Sequence, residues 1–281
     1  MSAPIPLRLR PLEVGDLLDE TFRMYRRHFL LFGGISVVLS IPSAALFGFT
    51  LASLSSFVQQ ANAQTPDFSF VTPLLAGLAA GFLVNLLFLP FSLGAVVYAA
   101  CESALGRPVT PGGILAGVAR RYFALLGYWV LFLVSFYLAL VLCVAPVVLW
   151  VWIFVGWIVV PPVMFVENTG LGAAFGRSWR LVEGRWWRTF LVLFLIAIVW
   201  YIAQIALGAF LQLGQVVLQL VLSPFLAAGI ATALGQVVAA LVNPILQIAV
   251  VLVYFDLRVR KEGLDLFQHA YQLATPPPAP I

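Results

Sequence analysis

The sequence predicts an all-α membrane protein with six transmembrane helices, arranged as three hairpins that are each preceded by an amphipathic helix on the cytoplasmic surface. Hydrophobic residues make up 63% of the 281 residues and charged residues only 9%, whereas about 25% of the residues in a soluble domain are charged. Several apolar runs reach the roughly 20 residues that a helix needs to cross a bilayer. We therefore expect a single integral membrane domain over residues 1–274.

A charged stretch before the first apolar run is predicted to form the first surface helix. Its apolar side chains recur at helical spacing, and its acidic and basic side chains occupy the opposite face. A signal peptide cleaved near Ser43, Ala44 and Ala45 is the alternative, but acids are atypical of a basic leader. The apolar face consists of Leu17, Leu18, Phe22, Tyr25 and Phe29, and the charged face of Asp16, Asp19, Glu20, Arg23 and Arg27.

The first two spans follow this helix. They cover about residues 29–52 and 73–100, each long enough to cross the hydrocarbon core. The loop between them, at 59–73, is polar and carries Asp67 as its only charge. This loop is therefore predicted to lie on the side of the membrane opposite to the charged stretch.

The middle of the chain is predicted to repeat this arrangement. Thr110 and Pro111 suit the N-cap and first position of a short surface helix. The third and fourth spans cover about residues 122–144 and 147–164 and are joined through Pro146. Because this turn is short and uncharged, the two spans are expected to form a hairpin.

The clearest surface helix lies within residues 167–190, between two apolar runs. The fifth span covers about 189–208 and the sixth about 235–254, whereas residues 209–224 are predicted to be interfacial, re-entrant or part of a span. The proline-rich tail at 275–281 is expected to be disordered. The apolar face of the surface helix holds Leu171, Ala174, Phe175, Ser178, Trp179, Val182 and Trp186, and its opposite face Arg177, Arg180, Gly184 and Arg188.

The distribution of charge predicts the orientation. With six spans, all fifteen Lys and Arg residues and ten of the eleven acids lie on one side, and Asp67 alone lies on the other. An arginine at the bilayer centre costs about 2.5 to 3.5 kcal/mol. This assignment of the spans is therefore favoured over any that places an arginine inside the bilayer. Basic residues are retained on the cytoplasmic side, and both termini are therefore predicted to be cytoplasmic.

Three segments on this side are similar to one another. Basic and aromatic residues open the odd-numbered spans, and an acid follows each even-numbered span. The pattern predicts three parallel repeats, at 9–102, 103–167 and 168–257. The alternative is that membrane interfaces alone select such residues at the ends of spans.

Three stretches resemble a known family. Residues 10–29 read RPLEVGDLLDETFRMYRRHF, residues 173–188 contain AFGRSWRLVEGRWWR, and residues 254–263 read YFDLRVRKEG. Together they resemble the bacterial family named for the membrane domain of glycerophosphoryl diester phosphodiesterase. The resemblance implies a multi-pass protein of the bacterial plasma membrane, fused to a phosphodiesterase in some relatives and of unknown function in many. We expect no hydrolase domain in this chain and transfer no catalytic residue, because its acids and histidines are few and scattered.

Basic residues near the span ends are the candidate contacts for lipid headgroups or phosphate, because the planar guanidinium suits phosphate oxygens. The alternative is that these residues form interface ion pairs that only fix the helix ends. Predicted pairs are Glu102 with Arg120 or Arg121, Glu167 with Arg185 or Arg188, and Asp256 with Arg258. The candidate headgroup contacts are Arg26, Arg27, Arg120, Arg121, Arg177, Arg180, Arg185 and Arg188.

Five uncharged polar residues lie inside the apolar runs, and four of them are the candidate intramembrane sites: Asn85, Gln204, Asn243 and Gln247, with Gln236 as the fifth polar residue. Hydrogen bonds between helices are the usual role of such residues. A cavity that reaches Asn85 and Asn243 would instead favour a path through the protein. No charged residue lies within a predicted span, which argues against a proton-driven pump.

These observations predict a non-catalytic membrane scaffold or accessory protein that contacts anionic lipid, or a protein partner, through its basic surface helices. The alternative is a passive transporter or lipid-handling protein with a cavity between the hairpins. An enzyme is disfavoured because no nucleophile is paired with a base. Neither a metal nor a cofactor is expected, since Cys101, Cys143, His28 and His269 lack the spacing of a metal site. A nucleic-acid partner is not expected either.

Overall fold

The computed structural model describes residues 12–61, 71–141 and 144–263, with the backbone alone at 51–61, 71, 73, 74 and 144–147. The predicted disordered tail, Asp67 and Cys143 lie outside the described residues. Every regular secondary-structure element in the described residues is an α-helix, as the sequence predicts for an all-α protein. These helices are α1 (Val14–Arg27), α2 (Phe29–Ala61), α3 (Val71–Ala104), α4 (Pro111–Val141), α5 (Val144–Trp157), α6 (Val160–Val166), α7 (Leu171–Val182), α8 (Trp186–Gln219), α9 (Pro224–Val242) and α10 (Pro244–Glu262).

Six helical segments in the described part of the chain are long and apolar enough to cross a membrane. Their mean hydropathy lies between 2.0 and 2.6. They match the six predicted spans in number and order. The segments are Phe29–Thr50, Leu75–Ala104, Pro111–Val141, Val148–Val166, Trp186–Gln219 and Pro224–Glu262.

The middle surface helix is not a separate element, contrary to the prediction. Thr110 does begin a helix, since its Oγ1 accepts a hydrogen bond from the Gly113 N–H at 3.2 Å. This helix, α4, then continues to Val141 without a break. No proline follows Pro111 within α4, so nothing in the local sequence forces the helix to end before the span.

The other two predicted surface helices, α1 and α7, are separate elements because the chain breaks after each. The helix α1 ends at Arg27, and His28 leaves the helical conformation with φ −120° and ψ 32°. The helix α7 ends before Gly184, which adopts a left-handed φ of 78° that glycine accommodates without strain. Each break redirects the chain into the next long helix.

The long helices extend beyond several predicted span ends. The helix α2 continues to Ala61, so the polar loop is shorter than predicted, and α8 continues to Gln219. Residues 209–219 thus belong to α8 rather than to a separate re-entrant segment. The next helix starts at Pro224, whose missing N–H suits a first helical position, and Ser223 caps it by accepting a hydrogen bond from the Leu226 N–H at 3.4 Å. Pro146 lies inside α5 rather than in the turn before it.

The helix α10 is the centre of the described core. Twelve of its side chains are buried, from Pro244 in the first turn to Val259 near the last. It packs against α1, α3 and α8 and has smaller contacts with α7, α6, α2 and α9. A helix enclosed on all sides is apolar around its whole circumference, which explains the unbroken apolar run between Ile248 and Phe255.

The helices α1 and α7 turn part of their apolar faces toward this core. In α1, Leu17, Met24 and Tyr25 are buried, and the Tyr25 hydroxyl donates a hydrogen bond to the Leu241 carbonyl oxygen. In α7, the Ser178 hydroxyl donates to the Gly156 carbonyl oxygen at 2.6 Å. These faces are therefore largely covered by the protein itself.

The helices α2 and α9 approach each other closely through small residues. A β-carbon built at Gly48 would lie 2.7 Å from the Gly229 carbonyl oxygen and 3.2 Å from the Ala233 β-carbon. Small residues let helix backbones come together and gain van der Waals contact where water supplies no driving force. The packing of α2 on α9 thus depends on the missing side chain at Gly48.

We predict that Gly48→Ala lowers the free energy of unfolding by about 1 to 3 kcal/mol, the usual cost of overpacking. Unfolding of the detergent-purified protein, followed by circular dichroism, measures this loss. The control is Gly34→Ala in the same helix, where a β-carbon meets nothing within 4 Å, and which should leave stability unchanged or slightly raised. Equal effects of the two substitutions would contradict the close approach.

Candidate functional site

Most of the charged residues in the described part of the chain gather at one end of the bundle. At this end α2 and α8 begin, and α3, α6 and α10 end. Hydrogen bonds join Leu12, which precedes α1, to Asp256 of α10. A further hydrogen bond joins the start of α8 to the same Asp256. Others join α7 to the end of α6. We refer to this region as the charged end.

The first group at the charged end is centred on Asp256 of α10, whose side chain is completely buried. Its Oδ1 accepts hydrogen bonds from the Leu12 N–H at 2.9 Å and from Arg260 Nε at 3.0 Å. Its Oδ2 accepts from Arg188 of α8 at 2.5 Å. Both arginines also donate to the Leu12 carbonyl oxygen, at 2.5 Å and 2.6 Å. We call these four residues the Asp256 cluster.

The geometry of the Asp256 cluster explains why a carboxylate can be buried here. An ionised carboxylate away from water is tolerated only when it is paired and hydrogen-bonded, and Asp256 has two guanidinium partners and a peptide N–H. Arg260 lies one helical turn after Asp256, the spacing at which side chains of a helix meet. The cluster therefore attaches the chain before α1 and the start of α8 to α10.

The second group joins α6, α7 and α10 through two acids and two arginines. Glu167, which follows α6, accepts hydrogen bonds from Arg177 Nε of α7 at 2.9 Å and from the Tyr254 hydroxyl at 3.0 Å. Glu262 accepts from the other side of Arg177 and from Arg258 Nε at 2.9 Å. We call these residues the Glu167 cluster.

The Glu167 cluster balances its own charge. Its two carboxylates offset the two guanidinium groups, and Arg258 lies 3.8 Å from Glu167 as well. The hydrogen bond to Glu167 raises the pKa of Arg177 above its ordinary value, so Arg177 stays charged. Because Arg177 already donates to two carboxylates, its guanidinium has little capacity left for a phosphate.

A third contact at the charged end holds the loop between α6 and α7. Arg121 of α4 donates to the Thr169 carbonyl oxygen at 2.6 Å and to the side-chain oxygen of Asn168. Asn168 has a left-handed φ of 54°, a conformation that asparagine adopts more readily than most residues. Arg121 thus fixes the turn that places Glu167 beside Arg177.

The predicted acid and arginine partners differ from those in the structure. Glu102 pairs with Arg107 at 3.2 Å, Glu167 with Arg177 and Arg258, and Asp256 with Arg188 and Arg260. The predicted pair of Asp256 and Arg258 is wrong because residues two apart on a helix do not face each other. The other pairs depend on which helices pack together, which sequence spacing does not define.

The eight predicted headgroup contacts fall into two groups. Arg121, Arg177 and Arg188 are partly buried and hold protein contacts, which favours the structural interpretation for these three. The other five make neither an ion pair nor a side-chain hydrogen bond to another residue in the described ranges, and four of them are exposed while Arg185 is partly buried. These five are Arg26, Arg27, Arg120, Arg180 and Arg185.

The interior polar residues form contacts near the junction of α9 and α10. Asn243 Oδ1 accepts hydrogen bonds from Trp200 Nε1 at 3.2 Å and from Gln204 Nε2 at 3.3 Å. Both donors belong to α8, so Asn243 joins α8 to the break before α10. Asn85 Nδ2 donates within its own helix to the Gly81 carbonyl oxygen at 3.0 Å.

Three of the four predicted interior residues line one cavity between α2, α3, α9 and α10. Asn85, Asn243 and Gln247 reach it, whereas Gln204 does not. The cavity has a volume of about 70 Å³. Five further polar residues line the cavity; of these the sequence analysis identified Gln236 as polar within a span and missed the four serines, which carry no signal beyond being small and uncharged in an apolar run. The five residues are Ser36, Ser40, Ser43, Ser92 and Gln236.

Comparison with known protein families, curated proteins and solved structures finds no match for this chain. The charged end and the cavity are therefore interpreted from their own geometry.

We predict that Asp256→Asn lowers the free energy of unfolding by about 3 kcal/mol, since loss of one partner leaves buried charges uncompensated. Denaturant unfolding of the purified protein measures this loss. The control is Glu183→Gln, an exposed acid without an ion pair to another described residue, which should shift stability by less than about 0.5 kcal/mol. A neutral effect of Asp256→Asn would show that the cluster does not hold α1 and α8 to α10.

Proposed function

We propose that this chain is a non-catalytic membrane protein of the bacterial plasma membrane that contacts anionic lipid through the exposed arginines of its charged end. In this proposal the six apolar segments cross the bilayer as three hairpins, with both termini and the charged end in the cytoplasm. Retention of basic residues on the cytoplasmic side supports this orientation. The surface helices α1 and α7 then lie at the level of the lipid headgroups.

The observation that carries the proposal is the set of five arginines whose side chains have no partner among the described residues. Arg177 is neutralised within the charge-balanced Glu167 cluster, and Arg188 shares the carboxylate of Asp256 with Arg260. Both clusters hold their guanidinium groups against protein acids, so the arginines available to a lipid headgroup are mainly the other five. Each basic residue near an anionic leaflet contributes about 1 kcal/mol of attraction. A guanidinium also binds phosphate oxygens in a bidentate manner, which suits a phospholipid headgroup.

The family resemblance is consistent with this proposal. Each of the three stretches that carry it contributes to the clusters: Leu12 belongs to the first, Arg177 and Arg188 to the second, and Asp256 and Arg258 to the third. The stretches are distant in sequence but meet at the charged end. We propose that they form one cytoplasmic surface, on which a protein partner would compete with lipid for the same arginines.

We predict that changing Arg26, Arg27, Arg120, Arg180 and Arg185 together to Gln weakens the preference for phosphatidylglycerol over phosphatidylcholine at least tenfold. The reason is the loss of about 1 kcal/mol of attraction per arginine near the surface. Native mass spectrometry of the purified protein counts the lipids of each type that it retains. The preference should also fall with added salt, because exposed charges are screened.

The matched control removes two arginines that are exposed but paired with an acid. Arg23 and Arg107 have side chains 68% and 63% exposed, and they pair with Glu20 and Glu102 at 3.1 Å and 3.2 Å. Changing both to Gln should cost less lipid preference per residue than the five-site change. If the five-site variant keeps its preference, or if the two variants lose equally per residue, the arginines do not recognise lipid and the proposal fails.

The cavity favours a second candidate function, which is passive passage of a small polar molecule between the hairpins. It reaches both Asn85 and Asn243. If these two residues served only to hydrogen-bond helices to one another, no cavity beside them would be required. A path of this kind needs polar groups along an otherwise apolar bundle.

This second function predicts that proteoliposomes take up acetamide faster than protein-free liposomes, and that Ser92→Leu abolishes the difference by filling the cavity. Stopped-flow light scattering measures the uptake. The control is Thr72→Leu, at an exposed position of the same helix outside the cavity lining. If Ser92→Leu leaves uptake unchanged, acetamide does not pass through this cavity.

A further inference from the structure

The wall of the cavity has hydrogen-bonding groups that the protein does not use. Gln247 Oε1 is buried and has no hydrogen-bond partner among the described residues. Within the same ranges, no hydrogen bond involves the side chains of Ser36, Ser92 or Gln236, which also line the cavity. An unmet buried polar group costs about 1 to 3 kcal/mol, so Gln247 Oε1 favours a bound molecule that supplies a donor, and the three other side chains are available to the same molecule.

Other polar residues of the wall are already committed. The Ser40 hydroxyl donates to the Val37 carbonyl oxygen at 2.8 Å, and Asn243 accepts from two side chains of α8. The unused groups come from α2, α3, α9 and α10, so they surround the cavity rather than lie on one side. A single molecule in the cavity can therefore contact several of them at once.

The size and charge of the cavity limit what it can hold. Its volume of about 70 Å³ corresponds to about two water molecules at the density of liquid water. None of its lining residues is acidic or basic, so an ion would lose its hydration without gaining a counter-charge. The cavity therefore suits a neutral molecule of a few non-hydrogen atoms.

The cavity is also separated from the charged end. Ser36 and Ser43 follow the first residue of α2 by seven and fourteen positions, which is about 10 Å and 20 Å along a helix. In the proposed orientation this depth lies inside a hydrocarbon core of about 30 Å. A ligand of the cavity would thus be distinct from the lipid headgroups that the arginines are proposed to contact.

We propose that the cavity is a binding site for a small uncharged molecule with amide or hydroxyl groups, in which Gln247 Oε1 accepts a hydrogen bond and Gln236 contributes a second contact. This inference names the ligand class for the second candidate function and rests on the same cavity. It requires occupancy of the cavity and not passage through it, so binding and uptake are separate tests.

Binding of acetamide to the protein in nanodiscs, followed by saturation-transfer difference NMR, tests this site. Acetate is the comparison ligand, because it has nearly the same shape and carries a charge. After subtraction of the empty-nanodisc signal, acetamide is expected to give at least a fivefold stronger signal than acetate. Gln247→Leu and, separately, Gln236→Leu should each weaken acetamide binding at least tenfold. The matched control, Gln212→Leu on the exposed surface of α8, should leave binding unchanged.

Thermal unfolding of each variant shows that it remains folded, and the second variant keeps the test valid if Gln247→Leu does not fold. Equal signals from acetate and acetamide, no acetamide signal above empty nanodiscs, or binding that neither substitution in the cavity alters would overturn the inference. Acetamide binding without uptake would sustain it and remove only passive passage. Uptake that persists in a variant that has lost acetamide binding would sustain the binding site and show that acetamide passes by a different path.

Discussion

The structure depends on the compensation of one buried carboxylate. Asp256 lies in the most enclosed helix, where water cannot solvate its charge, so its side chain requires partners from other elements. Arg188 supplies one at the start of α8, Arg260 supplies another one turn along α10, and the peptide group of Leu12 completes the set. Because Leu12 both donates to the carboxylate and accepts from the two arginines, the entrance to α1 is held between α8 and α10.

This requirement also separates the basic residues into two kinds. Those that compensate buried or partly buried acids, such as Arg188 and Arg177, are held in fixed positions and belong to the framework. Those left over remain exposed around the same end, where Arg26 and Arg120 have no carboxylate partner among the described residues. The framework thus concentrates uncompensated positive charge on one surface, which is the basis of the proposed contact with anionic lipid.

The sequence was sufficient to predict the helical class and the six apolar segments, because run length and composition decide them. It was not sufficient for the partners of charged residues, since Asp256 and Leu12 are 244 residues apart and a peptide group carries no side-chain signal. A separate middle surface helix was predicted from its start at Thr110 and Pro111, but α4 continues into the span because no proline follows Pro111 within it. Likewise Asn85 and Asn243 were identified singly, whereas the serines beside them became part of one site only through the packing of α2 on α3 and α9.

The length of α8 has a consequence for the bilayer around it. With 34 residues, a straight α8 extends about 51 Å and exceeds a hydrocarbon core of about 30 Å by about 20 Å. Its far end is still apolar and exposed, with Phe210 74% and Leu213 69% accessible. An average tilt of about 20° shortens its projection only slightly. Hydrophobic mismatch therefore favours thickening of the surrounding bilayer or self-association along α8, and makes this helix sensitive to the thickness of the membrane in which it resides.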